Sequence, residues 1–429
     1  MPSKTLAVNN GIIIGFKGSF KPYKGSILSE GGKIKEISDT EFDADSVIDA
    51  NSKLIFPGFI NTHNHVAMSR FKGLLDDVKL SEFLERTFKL DAGRTDDDIY
   101  NSSVIGILEM IESGTTSFAD LYYSEDVIAR AVQDTGIRGF LSWNTLDKEF
   151  TTQSGDPLDN AENFIKANKG KNSMIHPSIG VQGIYVASDA TYESALGIAK
   201  KHGTIIHTHL AETREEVNNC LKSRGKRPTE KLADIGFLNE NLLAAHTVWV
   251  NLSEIRSLGK NGVSISWNSV SNEKLGVGGL PPIPEMVEMG VNISMGTDSN
   301  GSNNSLDMFS VVKNSAISMK NSRWDPSLIS VSQALEMATV NGARALHDDT
   351  IGSIDVGKKA DFVVINSDSA NMIPTNFNNA VNNIVYSANP ANVETVVIEG
   401  RILKENFRLS DNLQKLRKSA LKYLLATFK

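Results

Sequence analysis

The sequence predicts an α/β protein in which a (β/α)8 (TIM) barrel is inserted into a small β domain. Eight apolar, strand-like segments alternate with helical patterns between residues 57 and 350. Several of these helical patterns end at glycine, which readily takes the left-handed conformation that ends a helix. Short β segments separated by turn residues occur before residue 57 and return after residue 350. Alternating strands and helices favour a parallel sheet covered on both faces, and eight such units close into a barrel.

The two ends of the chain carry the segments of the predicted β domain. The stretch "GSILSEGGKIKEI" predicts two strands around the turn Glu30-Gly31-Gly32. Near the other end, "GSIDVGKKADFVVINS" and "VETVVIEGRILKEN" each predict a pair of strands. The simplest arrangement joins residues 1–56 and 351–429 into one discontinuous β-sandwich domain and leaves residues 57–350 as the barrel.

The barrel is predicted from eight strands and the helices between them. One helix begins near Thr95, where Thr95 and Asp98 have the spacing of a capping box, and ends at Gly114. The other helical patterns are "DATYESALGIAKKHG", "TREEVNNCLKSRG", "LSEIRSLGKNG" and "PPIPEMVEMG". The strand segments, in chain order, are "GFINTHNH", "TTSFAD", "IRGFLSWN", "MIHPSIGVQ", "TIIHTHLAE", "LLAAHTVWV", "VSISWNS" and "VNISMGTDS".

Composition and charge narrow the classes of function. The chain has 429 residues and a net charge of −7, which disfavours nucleic acid or an anionic membrane surface as a partner. It contains no apolar run of membrane-spanning length and no signal-peptide pattern, so the cytoplasm is the expected location. Cys220 is the only cysteine, which excludes a disulfide framework and the class of zinc deaminases with two or three cysteine ligands.

Histidine and carboxylate residues occur at the ends of the predicted strands. His63 and His65 end the first strand, and side chains two residues apart on a strand point the same way. The fifth strand ends in "IHTHLAET", the sixth carries His246 and the eighth is followed by Asp298. The carboxyl ends of barrel strands meet at one face, so these side chains are expected to lie together. Several histidines with one carboxylate suit a divalent transition metal, and we expect a metal site there.

These segments resemble the amidohydrolase superfamily. Within it, the sequence is similar to the branch of methylthioadenosine/S-adenosylhomocysteine deaminases, guanine and cytosine deaminases and triazine hydrolases. The resemblance covers nearly the whole chain and is carried, in order, by "PGFINTHNH", "EMIESGTTSFAD", "HTHLAET", "AAHTVWV", "SNEKLGVGGLPPIPEMVEMGVNISMGTDSNGSNNSLDMF" and "GSIDVGKKADFVVI".

The resemblance implies a set of metal ligands. His63 and His65 match the family's first two ligands, and Asp298 matches the fourth. His209 matches the third, because Glu212 follows it by three residues as in the family's His-x-x-Glu. One divalent metal ion is therefore expected; zinc is the favoured metal, with iron, manganese and nickel left open.

The resemblance also implies catalytic roles. Glu212 matches the residue that protonates a ring nitrogen of the substrate, which is general acid catalysis. His246 matches the histidine that holds the attacking water and the developing oxyanion. Asp298 is expected to accept a proton from that water in addition to binding the metal.

Four positions depart from the family pattern and are the predicted substrate contacts. Gln182 stands where several members have a histidine, and Trp143 stands where many have an arginine. Trp267 replaces the histidine of a His-Asn-Pro motif, and Asp91 is a shortened counterpart of the glutamate in Trp-Pro-x-Glu. A tryptophan in place of an arginine favours a largely uncharged heterocycle over a substrate with a carboxylate tail.

Several other residues receive weaker or structural interpretations. Arg70, Lys72 and Arg138 are left open as cations that could replace the missing arginine. The amphipathic segment 66–88 is interpreted either as a lid or pocket wall, or as a helix packed on the barrel. Structural roles are expected for the remaining histidines, His176, His202, His207 and His347.

The favoured function is metal-dependent hydrolytic deamination of an amino-substituted N-heterocycle, such as methylthioadenosine or another purine. A triazine-type chlorohydrolase or N-dealkylating hydrolase on the same site is the alternative. A two-metal cyclic amidase is less favoured, since the fourth strand lacks the bridging lysine of such enzymes. A non-catalytic binding protein is disfavoured because all the metal ligands are kept. A small-molecule substrate is the expected partner, and a homo-oligomer is left open.

Overall fold

The computed structural model describes residues 5–16, 20–78 and 80–427 of the chain. The strands are β1 (Thr5–Phe16), β2 (Phe20–Glu30), β3 (Lys33–Ser38), β4 (Ser46–Asp49), β5 (Leu54–Pro57), β6 (Phe59–Asn64), β7 (Thr115–Tyr122), β8 (Arg138–Thr145), β9 (Ile175–Val181), β10 (Ile206–Leu210), β11 (Leu242–His246), β12 (Ser264–Trp267), β13 (Asn292–Met295), β14 (Phe362–Ile365), β15 (Val393–Ile398), β16 (Arg401–Glu405) and β17 (Arg408–Leu409).

The α-helices are α1 (Leu80–Asp91), α2 (Asp96–Glu112), α3 (Glu125–Thr135), α4 (Pro157–Asn168), α5 (Asp189–His202), α6 (Arg214–Arg224), α7 (Pro228–Asp234), α8 (Leu252–Lys260), α9 (Ser269–Lys274), α10 (Ile283–Glu288), α11 (Met308–Arg323), α12 (Val331–Met337), α13 (Val340–Ala345), α14 (Ala380–Tyr386) and α15 (Asp411–Thr427). Short 3-10 helices occur at Val66–Phe71, Lys148–Phe150 and Pro390–Asn392.

Both ends of the chain contribute to one nine-stranded sheet. Its order is β17-β16-β15-β14-β5-β1-β2-β3, and β4 pairs with β1. β5 pairs in parallel with β1 and antiparallel with β14, so it joins the N-terminal and C-terminal strands just before the barrel begins. The sheet has its own apolar cluster, which includes Leu6, Ile27, Phe362 and Val397. This confirms that the chain ends form a separate β unit, while the domain limits at 56 and 350 stay a prediction.

Two of the three predicted strand pairs in this unit are present. β2 and β3 form a hairpin in which Gly31 and Gly32 have φ of 57° and 81°, and β15 pairs with β16. The segment "GSIDVGKKADFVVINS" is different, because in the described structure only its second half forms a strand, β14. Gly357 has φ of 90°, which breaks the extended chain, and its N–H donates to Ile34 O at 2.8 Å. The prediction of a strand pair there is therefore wrong.

The central segment forms the predicted barrel. β6 to β13 are parallel neighbours in chain order, and each overlaps one of the eight predicted strand segments. The first and last strands meet where the backbone N–H of Asp298 donates to His63 O at 3.0 Å. Closure of the barrel thus places two predicted metal ligands side by side at the face where active sites of this fold occur.

The helices pack between the strands much as their sequence signals indicate. Thr95 and Asp98 form the predicted capping box of α2, and α5 and α6 end at Gly203 and Gly225 in the left-handed conformation. The C-terminal helix α15 was not predicted. No helix in the described part of the chain combines the length and apolar character needed to cross a membrane.

Candidate metal centre and active site

The predicted metal-binding and catalytic residues converge at the carboxyl ends of the barrel strands. His246 is the last residue of β11, and Asp298 follows β13. These two residues have φ of 70° and 61°. A positive φ is costly for a residue with a Cβ and is often found at functional sites, where the surrounding structure maintains it. The barrel thus holds both side chains in backbone conformations that a free loop would rarely adopt.

The tautomers of His65 and His209 follow from their hydrogen bonds. His65 Nδ1 lies 2.5 Å from Leu121 O, and His209 Nδ1 lies 2.6 Å from Gln182 O. A carbonyl oxygen only accepts, so each Nδ1 carries a proton and each Nε2 of a neutral ring presents a lone pair. The two Nε2 atoms are nevertheless 3.2 Å apart. Two lone pairs at this distance repel each other unless a cation binds both.

His63 and Asp298 complete the predicted ligand set. His63 Nε2 is buried and has no hydrogen-bond partner within the described residues. Asp298 Oδ1 lies 3.7 Å from His63 Nε2 and 3.5 Å from His65 Nε2. Asp298 Oδ2 accepts a hydrogen bond from Ser271 Oγ at 2.6 Å, which orients the carboxylate. Donor atoms of His63, His65 and Asp298 all lie within 4.8 Å of one another, and a second such group joins His63, His209 and His246. Imidazole nitrogens with a carboxylate oxygen suit a divalent transition metal.

His207 lies behind this group and does not line the cavity. Its Nε2 is 2.9 Å from His63 Nδ1, and its ring is fully buried. Burial, followed by the nearby histidines, lowers the pKa of His207 to about 3, so the ring is neutral and can accept the proton of His63 Nδ1. That hydrogen bond leaves His63 Nε2 with a lone pair that faces the other ligands.

His246 has the opposite tautomer to the metal-site histidines. Asn272 Nδ2 lies 2.7 Å from His246 Nδ1, and Asn268 Nδ2 lies 3.4 Å from it. With amide donors at Nδ1, the neutral ring carries its proton on Nε2. Burial lowers the pKa of His246 to about 4, although Asp298 opposes the shift. His246 is therefore a neutral N–H donor at the wall of the cavity.

Glu212 lies 3.7 Å from His246, measured between Glu212 Oε1 and His246 Nδ1. It is buried, and no lysine or arginine pairs with it in the described part of the chain. Burial, with smaller effects from Asp298 and Glu216, raises the pKa of Glu212 well above its ordinary value. The raised pKa favours the protonated form of the carboxyl group, which is the form that a general acid needs.

A cavity opens over these residues, and several aromatic side chains form part of its walls. The helix α1 contributes Phe83 and Phe88, so segment 66–88 is a wall of the cavity rather than a helix packed elsewhere on the barrel. The loop after β8 contributes Phe150, and the strand ends contribute Tyr122 and Tyr185. The rest of the lining is mostly polar, and side chains such as Asn144 and Gln153 offer hydrogen-bond donors and acceptors that can orient a heterocyclic ligand.

Two of the four predicted substrate contacts line this cavity. Gln182 Oε1 accepts a hydrogen bond from Asn144, and Gln182 Nε2 lies 3.1 Å from the hydroxyl of Tyr185. Asp91 accepts hydrogen bonds from the Tyr122 hydroxyl and from Arg94. Burial raises the pKa of Asp91 even though Arg94 and the hydroxyl group oppose the shift.

The other two predicted contacts, Trp143 and Trp267, are not among the residues that line the cavity. Successive side chains of a strand point to opposite faces. In β8, Trp143 packs against Phe164 of α4, with ring centroids 5.7 Å apart, while the next residue, Asn144, faces the cavity. Trp267 is completely buried in the main apolar core. Sequence reasoning missed Asn144, although a polar residue at the end of a strand was a usable signal.

The three cations left open by the sequence all have other partners. Arg70 pairs with Asp98 at 2.5 Å, and Lys72 pairs with Glu109 at 2.8 Å. Arg138 is fully buried and pairs with Asp361 of the β unit. None of them lines the cavity, and no other described lysine or arginine does. The described lining thus offers no cation for a carboxylate tail.

Comparisons with known proteins agree with this architecture. A curated relative named 5'-deoxyadenosine deaminase, from Methanobrevibacter smithii, is 36% identical over 96% of this chain and 95% of its own length. Another, named 5-methylthioadenosine/S-adenosylhomocysteine deaminase, from Thermococcus onnurineus, is 34% identical over 93% of this chain and 94% of its own. The crystal structure of an adenosine deaminase from Xanthomonas campestris with bound zinc superposes with a TM-score of 0.92 and 25% identity, covering 98% and 99% of the two chains.

A family model also matches most of the chain. The model of the amidohydrolase family matches residues 54–403, a range that includes all eight barrel strands and the β strands on either side of them. The relatives match nearly the whole chain. The chain is a hydrolase and belongs to the amidohydrolase family.

Proposed function

We propose that this protein is a metal-dependent hydrolytic deaminase that replaces the amino group of an adenosine derivative by oxygen and releases ammonia. One observation carries the proposal: the lone pairs of His65 and His209 face each other 3.2 Å apart, in the same cavity as the buried carboxyl group of Glu212. The first feature suits a metal that activates water, and the second suits an acid that activates the ring. Both 5'-deoxyadenosine and methylthioadenosine are named as substrates of relatives.

The proposed metal ligands are His63 Nε2, His65 Nε2, His209 Nε2 and Asp298 Oδ1. When bound there, a zinc ion would act as a Lewis acid and make water a stronger nucleophile at neutral pH. Zinc is proposed because nitrogen-rich sets with one carboxylate suit it and because a similar structure contains it.

The protein's own groups then supply the proton transfers. Glu212 donates its proton to a ring nitrogen, which makes the adjacent ring carbon more electrophilic. Asp298 accepts a proton from the attacking water, and the Nε2–H of His246 donates a hydrogen bond to the oxygen as negative charge develops on it. The amino group takes up the proton that Asp298 accepted from the water, and its C–N bond breaks. The hydroxyl group on the ring carbon returns a proton to Glu212 as the carbonyl forms, and ammonia departs.

The cavity favours a substrate without a charged tail. Its aromatic walls, formed by residues such as Phe83, Phe150 and Tyr122, suit stacking against a purine, worth about 0.5–1.5 kcal/mol beyond burial. A carboxylate group of a substrate would lose its hydration in this cavity, and no described lysine or arginine in the lining would pair with it. Burying such an unpaired charge is costly. Methylthioadenosine and 5'-deoxyadenosine are therefore proposed as better substrates than S-adenosylhomocysteine.

Ammonia release tests the proposal. Purified enzyme with measured metal content is incubated with methylthioadenosine, 5'-deoxyadenosine, adenosine, guanine and chlorinated or alkylamino triazines. Metal-dependent ammonia release from an adenosine derivative is the expected result. Release of chloride or alkylamine from a triazine, with no ammonia from any purine, would assign the site to the triazine reaction instead.

A further inference from the structure

The turn that carries Glu212 is held by a second buried carboxylate, that of Glu216. Glu216 Oε1 accepts a hydrogen bond from the backbone N–H of Ala211 at 3.0 Å, and Glu216 Oε2 accepts one from the backbone N–H of Glu212 at 2.8 Å. Ala211 has φ of 48°, a conformation unfavourable for a residue with a Cβ. Both oxygens of one side chain thus hold two consecutive peptide groups in a strained turn.

The same turn is held from the opposite side by the loop that follows His246. Ala211 O accepts hydrogen bonds from the backbone N–H groups of Val248 at 3.1 Å and Trp249 at 2.9 Å. The N–H of Ala211 binds Glu216 and its carbonyl binds this loop, so the residue before Glu212 is fixed at both ends. The direction in which Glu212 leaves the backbone depends on this arrangement.

Helix capping alone does not explain these contacts. Thr213 is the N-cap of α6, and Glu216 is three residues later, the spacing of a capping box. One of the two hydrogen bonds of a capping box is present, since the backbone N–H of Glu216 donates to Thr213 Oγ1 at 3.0 Å. In a capping box, the glutamate side chain accepts a hydrogen bond from the backbone N–H of the N-cap residue, here Thr213. The Glu216 side chain instead accepts hydrogen bonds from the backbone N–H groups of Ala211 and Glu212, the two residues before Thr213. Within the described residues it has no lysine or arginine partner, so its burial is costly.

We infer that Glu216 is a positioning residue for the proposed general acid: its carboxylate clamps the Ala211–Glu212 peptide and thereby directs the Glu212 side chain at the substrate ring. This inference rests on the proposed function, because it acts through Glu212. Glu216 is not among the residues that line the cavity, and its two carboxylate oxygens bond to the backbone N–H groups of Ala211 and Glu212. Its loss should therefore reduce turnover while metal and substrate still bind.

Glu216→Gln is the principal test, measured as kcat, KM, metal content and thermal unfolding of the metal-loaded enzyme. The amide keeps the size of the side chain but offers only one oxygen, so one of the two N–H groups faces another donor. We expect kcat to fall about 10- to 100-fold, as is usual when an outer contact of a catalytic group is lost. KM and metal content should stay near those of the wild type.

Two further variants provide a control and test the length of the Glu216 side chain. Glu215→Gln is the matched control, because it removes an exposed carboxylate from the same first turn of α6 and should leave kcat unchanged. Glu216→Asp keeps the carboxyl group but shortens the reach to the two N–H groups. It should lose turnover as Glu216→Gln does, and wild-type turnover in this variant would overturn the inference.

A double-mutant cycle shows whether Glu216 acts through Glu212. In the Glu212→Gln background, Glu216→Gln should change kcat by less than about 3-fold, because the group that it positions no longer transfers a proton. Equal losses in both backgrounds, or loss of metal in Glu216→Gln, would overturn the inference. If Glu212→Gln alone keeps wild-type turnover, the proposed function fails. If Glu212→Gln is impaired and Glu216→Gln is not, only the positioning role fails.

Discussion

The Glu212→Gln substitution gives the most direct test of the proposed chemistry. Glu212 is buried without a cationic partner in the described structure, and burial raises its pKa, which favours the protonated acid. Glutamine has nearly the same shape and charge as the protonated acid but cannot give up a proton to the ring. Substrate binding and metal content should therefore remain, and the loss should fall on the chemical step.

The expected loss is the contribution of one general acid. Such groups contribute about 10²- to 10⁴-fold in rate, which corresponds to about 3–5 kcal/mol of transition-state stabilisation. The loss should occur in kcat, with KM within a few-fold of the wild type. The assay is steady-state ammonia release from methylthioadenosine, with metal quantified in each preparation and Glu215→Gln as the exposed-acid control.

The pH dependence provides a second readout of the same residue. The acid is active only when protonated, so turnover of the wild type should fall as pH rises through the raised pKa of Glu212. This alkaline decline should be absent from the residual activity of Glu212→Gln. Turnover within about 3-fold of the wild type, or loss of metal in the variant, would refute the assignment of Glu212 as the acid.

Three other outcomes are expected. His209→Ala should lose bound metal and activity together, whereas His202→Ala, which changes a histidine at the far end of α5, should keep both; metal analysis and ammonia release decide this. Side-by-side kcat/KM values should favour methylthioadenosine and 5'-deoxyadenosine over S-adenosylhomocysteine, and a clear preference for the latter would show that the cavity does accept a charged tail. Arg138→Met should lower the free energy of unfolding by about 3–5 kcal/mol, because it leaves Asp361 buried without its cation, and denaturant unfolding would show a much smaller change if the pair were dispensable.

The order of the barrel strands was predictable because each strand is a short apolar run followed by a turn or a capped helix. That pattern is local, so a sequence window contains all of it. The convergence of His63, His65, His209 and Asp298 was predictable for a related reason. Parallel strands connected by helices have all their carboxyl ends at one face, so polar residues at those ends meet whatever the details of packing.

The orientation of residues within a barrel strand was much harder to predict. Every residue of β8 is buried, because one face of the strand packs inside the barrel and the other packs against helices. The strand therefore shows no alternation of polar and apolar residues, and the sequence does not indicate which side chains face the cavity. This is why Trp143 was predicted as a substrate contact while its neighbour Asn144 lines the cavity.

The sequence by itself determined the class of fold, the family and the residues able to bind a metal, since these depend on residue types and their spacing. Only the tertiary structure decided what each polar group contacts. The partner of Arg138 is Asp361, far away in the chain, and the apparent capping residue Glu216 bonds the turn that carries Glu212. The physical reason is that the energy of a buried charge depends on the atoms around it, and folding brings those atoms together from distant parts of the chain.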